Sequence, residues 1–259
     1  MTNISFPHLG ISLDVSKIAL SLGPFTVTWY AIMILSGAIL GTIFCAKTAK
    51  NHGSDSETVM DIALYGMIFG IIGARLYYVA FDWDSYKNTP LDILKIYEGG
   101  LAIYGGIIAA LITVIVYCKI KKKPILCTMD VCAPGLLIGQ AIGRYGNFFN
   151  CEVYGRETTS LLGMSIDGAT PVHPLFFYES CWNILGFILL VLFRKNKKAD
   201  GQIIVGYLIW YSLGRFFLEG LRQSEYILWL VKDTIAISQA VAILFIIIGI
   251  FIFFKLRRK

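Results

Sequence analysis

The chain has 259 residues, of which 56% are hydrophobic and only 15% are charged. Soluble globular proteins carry about a quarter of charged residues, so this composition and the mean hydropathy of +0.68 exclude an ordinary soluble domain and indicate a membrane-embedded chain. The formal net charge of +6 does not indicate a nucleic-acid partner, because the Lys and Arg residues occur in short clusters at the ends of apolar segments.

Long apolar segments recur along the whole chain. Residues 1–24 lack the order of charged, apolar and small residues that marks a signal peptide, so we expect the first long apolar segment to be retained. A helix needs about 20 mostly apolar residues to cross the hydrocarbon core. Seven segments meet this requirement: 25–46, 58–81, 101–118, 130–149, 174–193, 203–222 and 235–254. They predict an all-α, polytopic membrane protein in which residues 1–259 form a single membrane-embedded domain.

Basic residues mark alternate connections between these spans. They concentrate at Lys47 and Lys50 and in residues 119–123, 194–198 and 255–259. By the positive-inside rule, the N-terminus is predicted outside and the C-terminus in the cytoplasm. The connection 150–172 then lies outside, where we expect it to form a small cap.

Small residues and cysteines have structural interpretations. Glycines recur at four-residue spacing in the fourth span and in the second, which predicts close helix approach; they are Gly135, Gly139 and Gly143, and Gly66 and Gly70. The six cysteines show no spacing typical of a metal site. We therefore predict packing roles for the cysteines, no bound metal and no cofactor.

Charged residues inside the predicted spans are the first candidates for function. A charge in a spanning helix is costly unless it is paired or faces a wet cavity. Two helical faces are polar: Tyr211, Arg215, Glu219 and Arg222 in the sixth span, and Gln140, Arg144 and Asn147 in the fourth. Arg75 is charged in the second span. The structural alternative is that Arg215 and Glu219 form an ion pair and that Arg144 snorkels to the interface.

The predicted topology brings these groups to one side of the membrane. The arginines fall in the outer halves of their spans, and Tyr30 and Tyr104 lie at the same level. Guanidinium groups match the oxygens of phosphate, so a phospholipid headgroup at the outer interface is the expected ligand. The doublets Gly99-Gly100 and Gly105-Gly106 either offer backbone N–H groups to an anion or form a plain tight turn.

The segment from Gly143 to Arg156, GRYGNFFNCEVYGR, resembles the signature of the prolipoprotein diacylglyceryl transferase family. Other motifs resemble that family in the same order along nearly the whole chain. They are Gly23-Pro24 with Trp29-Tyr30, Gly73-Ala74-Arg75, Gly99-Gly100-Leu101 with Gly105-Gly106, His173-Pro174 with Tyr178-Glu179, and Tyr211 through Arg215 to Glu219.

The resemblance implies an enzyme of the bacterial cytoplasmic membrane with its active site toward the outer leaflet. Its substrates would be phosphatidylglycerol and the lipobox cysteine of a prolipoprotein, and it would release glycerol phosphate. Carried over by motif, the substrate-binding residues are Arg144 for the phosphate, Asn147 and Gly155, which shape the site, and Tyr30, Tyr211, Arg75 and Arg222. The catalytic candidates are Tyr104, Arg215 and Glu219.

The chain departs from the family at one position, because many members have a histidine where this chain has Tyr104. The remaining histidines are His8, His52 and His173, and none replaces it in that motif. An obligatory histidine base is therefore not expected, and the proton acceptor is left open among Tyr104, Glu219 and His173.

Two other classes of membrane protein compete with a transferase. Transporters and lipid flippases also carry polar residues in their spans, but their sites usually lie near the midplane between internal repeats. No repeat is visible here, and the polar groups favour one leaflet. A retinal-binding protein would need a lysine in the last span, and residues 235–254 contain none.

Overall fold

The computed structural model describes residues 1–23, 25–96, 99–227, 229–231 and 234–257. They form two compact units. The first contains Met1–Phe44 and Cys132–Lys259, and the second contains Cys45–Val131. The single domain expected from the sequence stays a prediction.

The described residues are mostly helical, as predicted. The helices are α1 (Trp29–Thr48), α2 (Ser56–Phe81), the short α3 (Trp83–Tyr86), α4 (Ile103–Ile120), α5 (Ile125–Asn150), α6 (Leu175–Phe193), α7 (Gln202–Glu219) and α8 (Ile237–Arg257). Apart from α3, each follows one predicted span closely. Six are long and apolar enough to cross a membrane; α7 is not among them, because Gln202, Arg215 and Glu219 lower its hydropathy. The seventh span therefore stays a prediction.

The start of α2 shows how polar residues fix a helix end. Asp55 is its N-cap, and its side chain accepts a hydrogen bond of 2.8 Å from the backbone N–H of Thr58. Lys123 donates to the same carboxylate at 2.7 Å. The hydrogen bond from Lys123, followed by that from Thr58, lowers the pKa of Asp55 to about 2, so this cap stays ionised over the physiological range.

Glycines allow α1 and α5 to approach closely within the first unit. A Cβ atom placed on Gly37 would lie 2.8 Å from the carbonyl oxygen of Gly139, and one placed on Gly41 would collide with the carbonyl oxygen of Gly135. The close approach predicted from the glycine spacing of the fourth span is therefore confirmed at these positions. In contrast, a Cβ on Gly66 would meet nothing within 4 Å.

Two tryptophans join α6 to α7. The rings of Trp182 and Trp210 stack with centroids 4.3 Å apart and an interplanar angle of 15°. Each indole N–H donates to the main-chain oxygen of the other residue, at 3.1 Å and 3.0 Å. The rings pack against Gly186 and Gly214. This reciprocal contact fixes the relative position of the two helices that carry Glu179 and Arg215.

The sequence predicted an all-α protein, but the structure also contains short strands outside the helices. They are β1 (Thr2–Phe6), β2 (Ile11–Val15), β3 (Ile18–Leu22), β4 (Phe25–Thr28), β5 (Ser165–Ile166), β6 (Trp229–Val231) and β7 (Ile235–Ala236). β1 pairs antiparallel with both β2 and β5, while β3 pairs with β4 and β6 with β7. The N-terminal segment and the connection predicted as a cap thus share one small sheet, over a core that includes Ile4, Met164 and Val172.

We expect Gly41→Ala to lower the free energy of unfolding by about 1–3 kcal/mol, because the added methyl group forces α1 away from α5. The matched control is Gly66→Ala, which adds the same group to open space and improves helix propensity. Thermal unfolding in detergent checks both variants. Equal unfolding midpoints would contradict the assigned contact between α1 and α5.

Candidate functional site

Three arginines and two glutamates of the first unit form one partly buried group of charges, here called the arginine–glutamate cluster. Its members are Arg144, Glu179, Arg215, Glu219 and Arg222. The Nε of Arg144 pairs with the Oε2 of Glu179. The Oε2 of Glu219 lies 3.0 Å from the Nη2 of Arg215 and 3.9 Å from the Nε of Arg222. The two glutamates are only 8% and 4% exposed, and the three arginine side chains are 17–28% exposed.

The pair of Arg144 with Glu179 and the group of Arg215, Glu219 and Arg222 are electrostatically coupled. Burial lowers the pKa of Arg222, and the charges of Arg215 and Arg144 lower it further, while Glu219 and Glu179 raise it. The charges of all four other members therefore act on Arg222, which contacts Glu219 directly. Arg144 from α5 and Arg215 from α7, which the sequence predicted to lie at the same level, both act on the pKa of Arg222.

The predicted sixth span included Arg222, but this residue lies outside the helix. The helix α7 ends at Glu219 with Gly220 as its C-cap, and Arg222 forms an isolated β-bridge with Gly155. The helix ends early because the main chain after Gly220 pairs with the connection that follows α5.

Asn147 holds the other side of Arg144. Its Oδ1 accepts a long hydrogen bond of 3.5 Å from the Nη1 of Arg144. Its Nδ2 donates to the Oε1 of Glu152 at 2.9 Å, and the Nδ2 of Asn150 donates to the same oxygen at 3.3 Å. Asn147 is buried, so this chain of amide and carboxylate groups orients the guanidinium of Arg144.

Gly155 lies where the connection approaches the end of α7. A Cβ atom there would be 2.6 Å from the carbonyl oxygen of Leu221 and 2.7 Å from the Cβ of His173. The N–H of Gly155 donates to the carbonyl of His173, and the N–H of Arg156 donates to that of Leu221, both at 2.9 Å. Only glycine fits between these two chain segments, so Gly155 acts on the site by setting main-chain positions.

Tyr30 and Tyr211 are 36% and 37% exposed. Tyr30 packs against Gly146, where a Cβ atom would lie 2.8 Å from the Cδ2 of its ring. Tyr211 stacks on Tyr207 with centroids 6.1 Å apart, and the hydroxyl of Tyr207 accepts a hydrogen bond of 2.7 Å from the Nε2 of Gln140.

His173 precedes α6, outside the membrane-spanning helices. Its Nδ1 lies 3.3 Å from the hydroxyl of Tyr178. Burial lowers its pKa, and the charge of Arg156 lowers it further. The imidazole is therefore neutral at neutral pH and has one nitrogen available to accept a proton.

The remaining predicted site residues, Arg75 and Tyr104, belong to the second unit. Tyr104 is 69% exposed in the first turn of α4. Arg75 is only 5% exposed, and its guanidinium lies over the ring of Tyr86, 5.1 Å from the centroid. It donates to main-chain oxygens of one segment: Asp92 (2.7 Å), Ile93 (2.8 Å), Lys95 (3.5 Å), Gly99 (2.8 Å) and Gly100 (3.1 Å). Arg75 thus organises the loop that contains the first glycine doublet.

Glu179 is the member of the cluster that sequence reasoning did not select. It is a charged residue in an apolar predicted span, which is the same signal that selected the arginines. The Tyr178-Glu179 motif was visible too. Its pairing with Arg144 depends on the packing of α5 with α6, which no local pattern shows.

Fold and site together define a multi-pass membrane protein with a partly buried arginine–glutamate cluster. The chain belongs to the prolipoprotein diacylglyceryl transferase family, whose sequence profile matches residues 17–255. The resemblance stated from its motifs is confirmed.

Curated relatives cover nearly the whole chain, and all three that follow are named phosphatidylglycerol–prolipoprotein diacylglyceryl transferase. The Bacillus cytotoxicus protein is 42% identical over 263 residues, covering 97% of this chain and 95% of the relative. The Listeria monocytogenes protein is 41% identical over 257 residues, covering 94% and 91%. The protein of Streptococcus equi subsp. zooepidemicus is 41% identical over 255 residues, covering 95% and 96%.

We expect Arg75→Lys to lower the free energy of unfolding by about 3 kcal/mol, because an ammonium group cannot reach the carbonyls that the planar guanidinium bridges. The exposed Arg257→Lys is the matched control. Thermal unfolding in detergent is the first measurement, and the rate of tryptic cleavage after Lys87, close to this loop, is the second. Identical behaviour of the two variants would refute the organising role of Arg75.

Proposed function

We propose that this chain transfers the diacylglyceryl group of phosphatidylglycerol to the thiol of the lipobox cysteine of a prolipoprotein. This is the first step of bacterial lipoprotein maturation. Membership of the family and the names of the relatives support the proposal. The observation that carries it is the partly buried arginine–glutamate cluster, because its charges suit a phosphate ester held at a membrane.

The charges of the cluster do not cancel. Three guanidinium groups face two carboxylates, which leaves one positive charge on arginine side chains that are 17–28% exposed. A phosphodiester carries one negative charge and neutralises it. We therefore assign the phosphate of the lipid to Arg144 and Arg215, with Asn147 orienting Arg144. Tyr30 and Tyr211 are proposed to contact the lipid, and Gly155 and Arg222 to shape the site.

The reaction exchanges one bond for another at a glycerol carbon of the lipid. A bond forms between the cysteine sulfur and that carbon, and the bond from the carbon to the phosphate oxygen breaks. The oxygen keeps the electron pair and leaves as glycerol phosphate. Arg215 and Arg144 stabilise this developing charge because their positions are fixed before the reaction starts.

The thiol must lose its proton during the reaction. A free cysteine has a pKa of about 8.5, and neighbouring cations lower it, so the arginines favour the thiolate. Phenols hold their proton at neutral pH, and we therefore assign Tyr104 an orienting role. Glu219, His173 or a water molecule bound by them receives the proton.

We further propose that all seven long helices span the cytoplasmic membrane as one transferase domain. The distribution of Lys and Arg supports an outer N-terminus and a cytoplasmic C-terminus. The connection 150–172 would then form an outer cap together with β1, near the leaflet where exported precursors arrive. Labelling of a cysteine introduced at Gly168 with an impermeant reagent decides this orientation, because only an outer cap is reached in intact cells.

The function is tested by incubating purified protein with phosphatidylglycerol and a lipobox peptide, with the mass of the peptide as readout. We expect the peptide cysteine to gain a diacylglyceryl group, and Arg144→Lys to reduce transfer by about a hundredfold, because an ammonium cannot replace a bidentate guanidinium. Arg257→Lys is the control. An unmodified peptide would refute the proposed activity, and near-normal transfer by Arg144→Lys would refute only the role of Arg144.

Tyr104 offers a test of how the thiolate is formed. If the phenol orients substrate, Tyr104→Phe should lose transfer only partly, and Tyr104→His should stay active. The measurement is the pH dependence of transfer for the parent, Tyr104→Phe and Glu219→Gln, with lipid binding measured in parallel. Complete loss in Tyr104→Phe with intact lipid binding would make the phenol a participant in the chemistry.

A further inference from the structure

The side chains of Gln140 and Tyr207 form a polar pair that the proposed mechanism does not use. The Nε2 of Gln140 on α5 donates to the hydroxyl of Tyr207 on α7 at 2.7 Å. The Oε1 of Gln140 is buried and has no hydrogen-bond partner among the described residues. A buried polar atom without a partner costs free energy. This amide is therefore a candidate contact for a ligand.

The pair lies deeper among the helices than the arginine–glutamate cluster. Gln140 precedes Arg144 by one turn on the same face of α5, a rise of about 6 Å. Tyr207 precedes Arg215 by about two turns on α7. In both helices the arginine is nearer to the C-terminal end, where the charged cluster lies. A ligand that reaches from the cluster into the helices therefore passes the pair.

The surroundings of the pair are apolar. Tyr207 packs against a hydrophobic core formed by Ala133, Leu137, Leu190 and Ile203. The pair itself consists of an amide and a phenol, which are polar groups without the fixed charge of a guanidinium. It therefore suits a neutral polar group of a ligand better than a phosphate.

The pair has more hydrogen-bond donors than it uses. A glutamine amide supplies two N–H donors and a tyrosine supplies one O–H donor, while the bond between Gln140 and Tyr207 uses only one of them. When the amide turns over, the hydroxyl of Tyr207 donates to the Oε1 of Gln140, and Nε2 keeps both of its hydrogens. The buried Oε1 is then paired, and the N–H groups face the ligand. A carbonyl oxygen, which only accepts, completes this arrangement.

Depth and chemistry together select an ester carbonyl of the lipid. In a glycerophospholipid the ester carbonyls lie a few bonds from the phosphate, on the side of the acyl chains. With the phosphate at Arg144 and Arg215, as proposed above, the carbonyls reach the level of Gln140.

We infer that the amide of Gln140, held by Tyr207, donates a hydrogen bond to an ester carbonyl of the diacylglyceryl group. The inference deepens the proposed function and rests on it for the identity of the lipid. It makes Gln140 a determinant of specificity, because a lipid with ether-linked alkyl chains offers no carbonyl to the amide. Tyr207 acts through Gln140 as a positioning residue.

The test compares phosphatidylglycerol with its dialkyl ether analogue, which keeps the phosphate and the glycerol headgroup. Native mass spectrometry in detergent measures the Kd of each lipid, without turnover, for the full-length parent, Gln140→Met and Tyr207→Phe. We expect the parent to bind the ester lipid about tenfold more tightly, because the ether lipid loses one hydrogen bond in an apolar site. Gln140→Met should bind both lipids equally, and Tyr207→Phe should lose part of the preference.

The control is Tyr65→Phe, which removes a phenol hydroxyl from α2 in the second unit. It should keep the preference of the parent. Thermal unfolding in detergent shows whether each variant is folded, and the comparison of the two lipids in the parent needs no variant. Equal Kd values for the two lipids in the parent would overturn the inference, and so would a preference that Gln140→Met leaves unchanged.

Transfer to a lipobox peptide, measured in parallel, separates this inference from the proposed function. If the parent modifies the peptide but shows no preference between the lipids, the function stands and the ester contact is wrong. If the preference depends on Gln140 but the peptide stays unmodified, the ester contact stands and the transferase function fails. A raised KM for the peptide in Gln140→Met, with unchanged Kd values for both lipids, would assign the pair to the precursor and overturn the inference.

Discussion

The structure of the first unit depends on the cost of placing charge among apolar helices. Isolated arginines or glutamates there would be strongly destabilising, and removing one partner of a buried pair leaves the other uncompensated. Glu219, at 4% exposure, is tolerated because it faces Arg215 and Arg222. Two carboxylates do not neutralise three guanidinium groups, so the cluster keeps one excess positive charge. The proposed function assigns the phosphate of the lipid to this excess charge.

These charged side chains keep their relative positions only if the helices that carry them are firmly packed. The reciprocal stacking of Trp182 and Trp210 fixes α6 against α7, and the contact of Gly41 with Gly135 fixes α1 against α5. Each device relies on a glycine, since any Cβ atom would separate the surfaces. Gly155 does the same for the main chain that carries Arg156 and meets Arg222. The polar site thus rests on close backbone approach.

Sequence reasoning located the helices because hydropathy over about 20 residues is a local signal. It also selected the arginines, since charge inside an apolar segment is visible without a structure. It missed the strands, which are short and are stabilised by partners distant in sequence, such as Ser165 beside Ser5. It missed the role of Glu179 for the same reason, because the partner on α5 is 35 positions away, at Arg144. It extended the sixth span to Arg222 because apolar content does not show where pairing of the main chain ends a helix.

Arg75 and Arg144 show why residue type alone does not assign a role. An arginine side chain has five N–H donors. Those of Arg75 contact main-chain oxygens on both sides of one loop, so a phosphate would have to displace contacts that hold the chain. Arg144 meets Glu179 through Nε and Asn147 only through a long 3.5 Å contact from Nη1. Among the described residues, the Nη atoms of Arg144 therefore keep donor capacity that the fold does not use, whereas those of Arg75 are committed to main-chain oxygens.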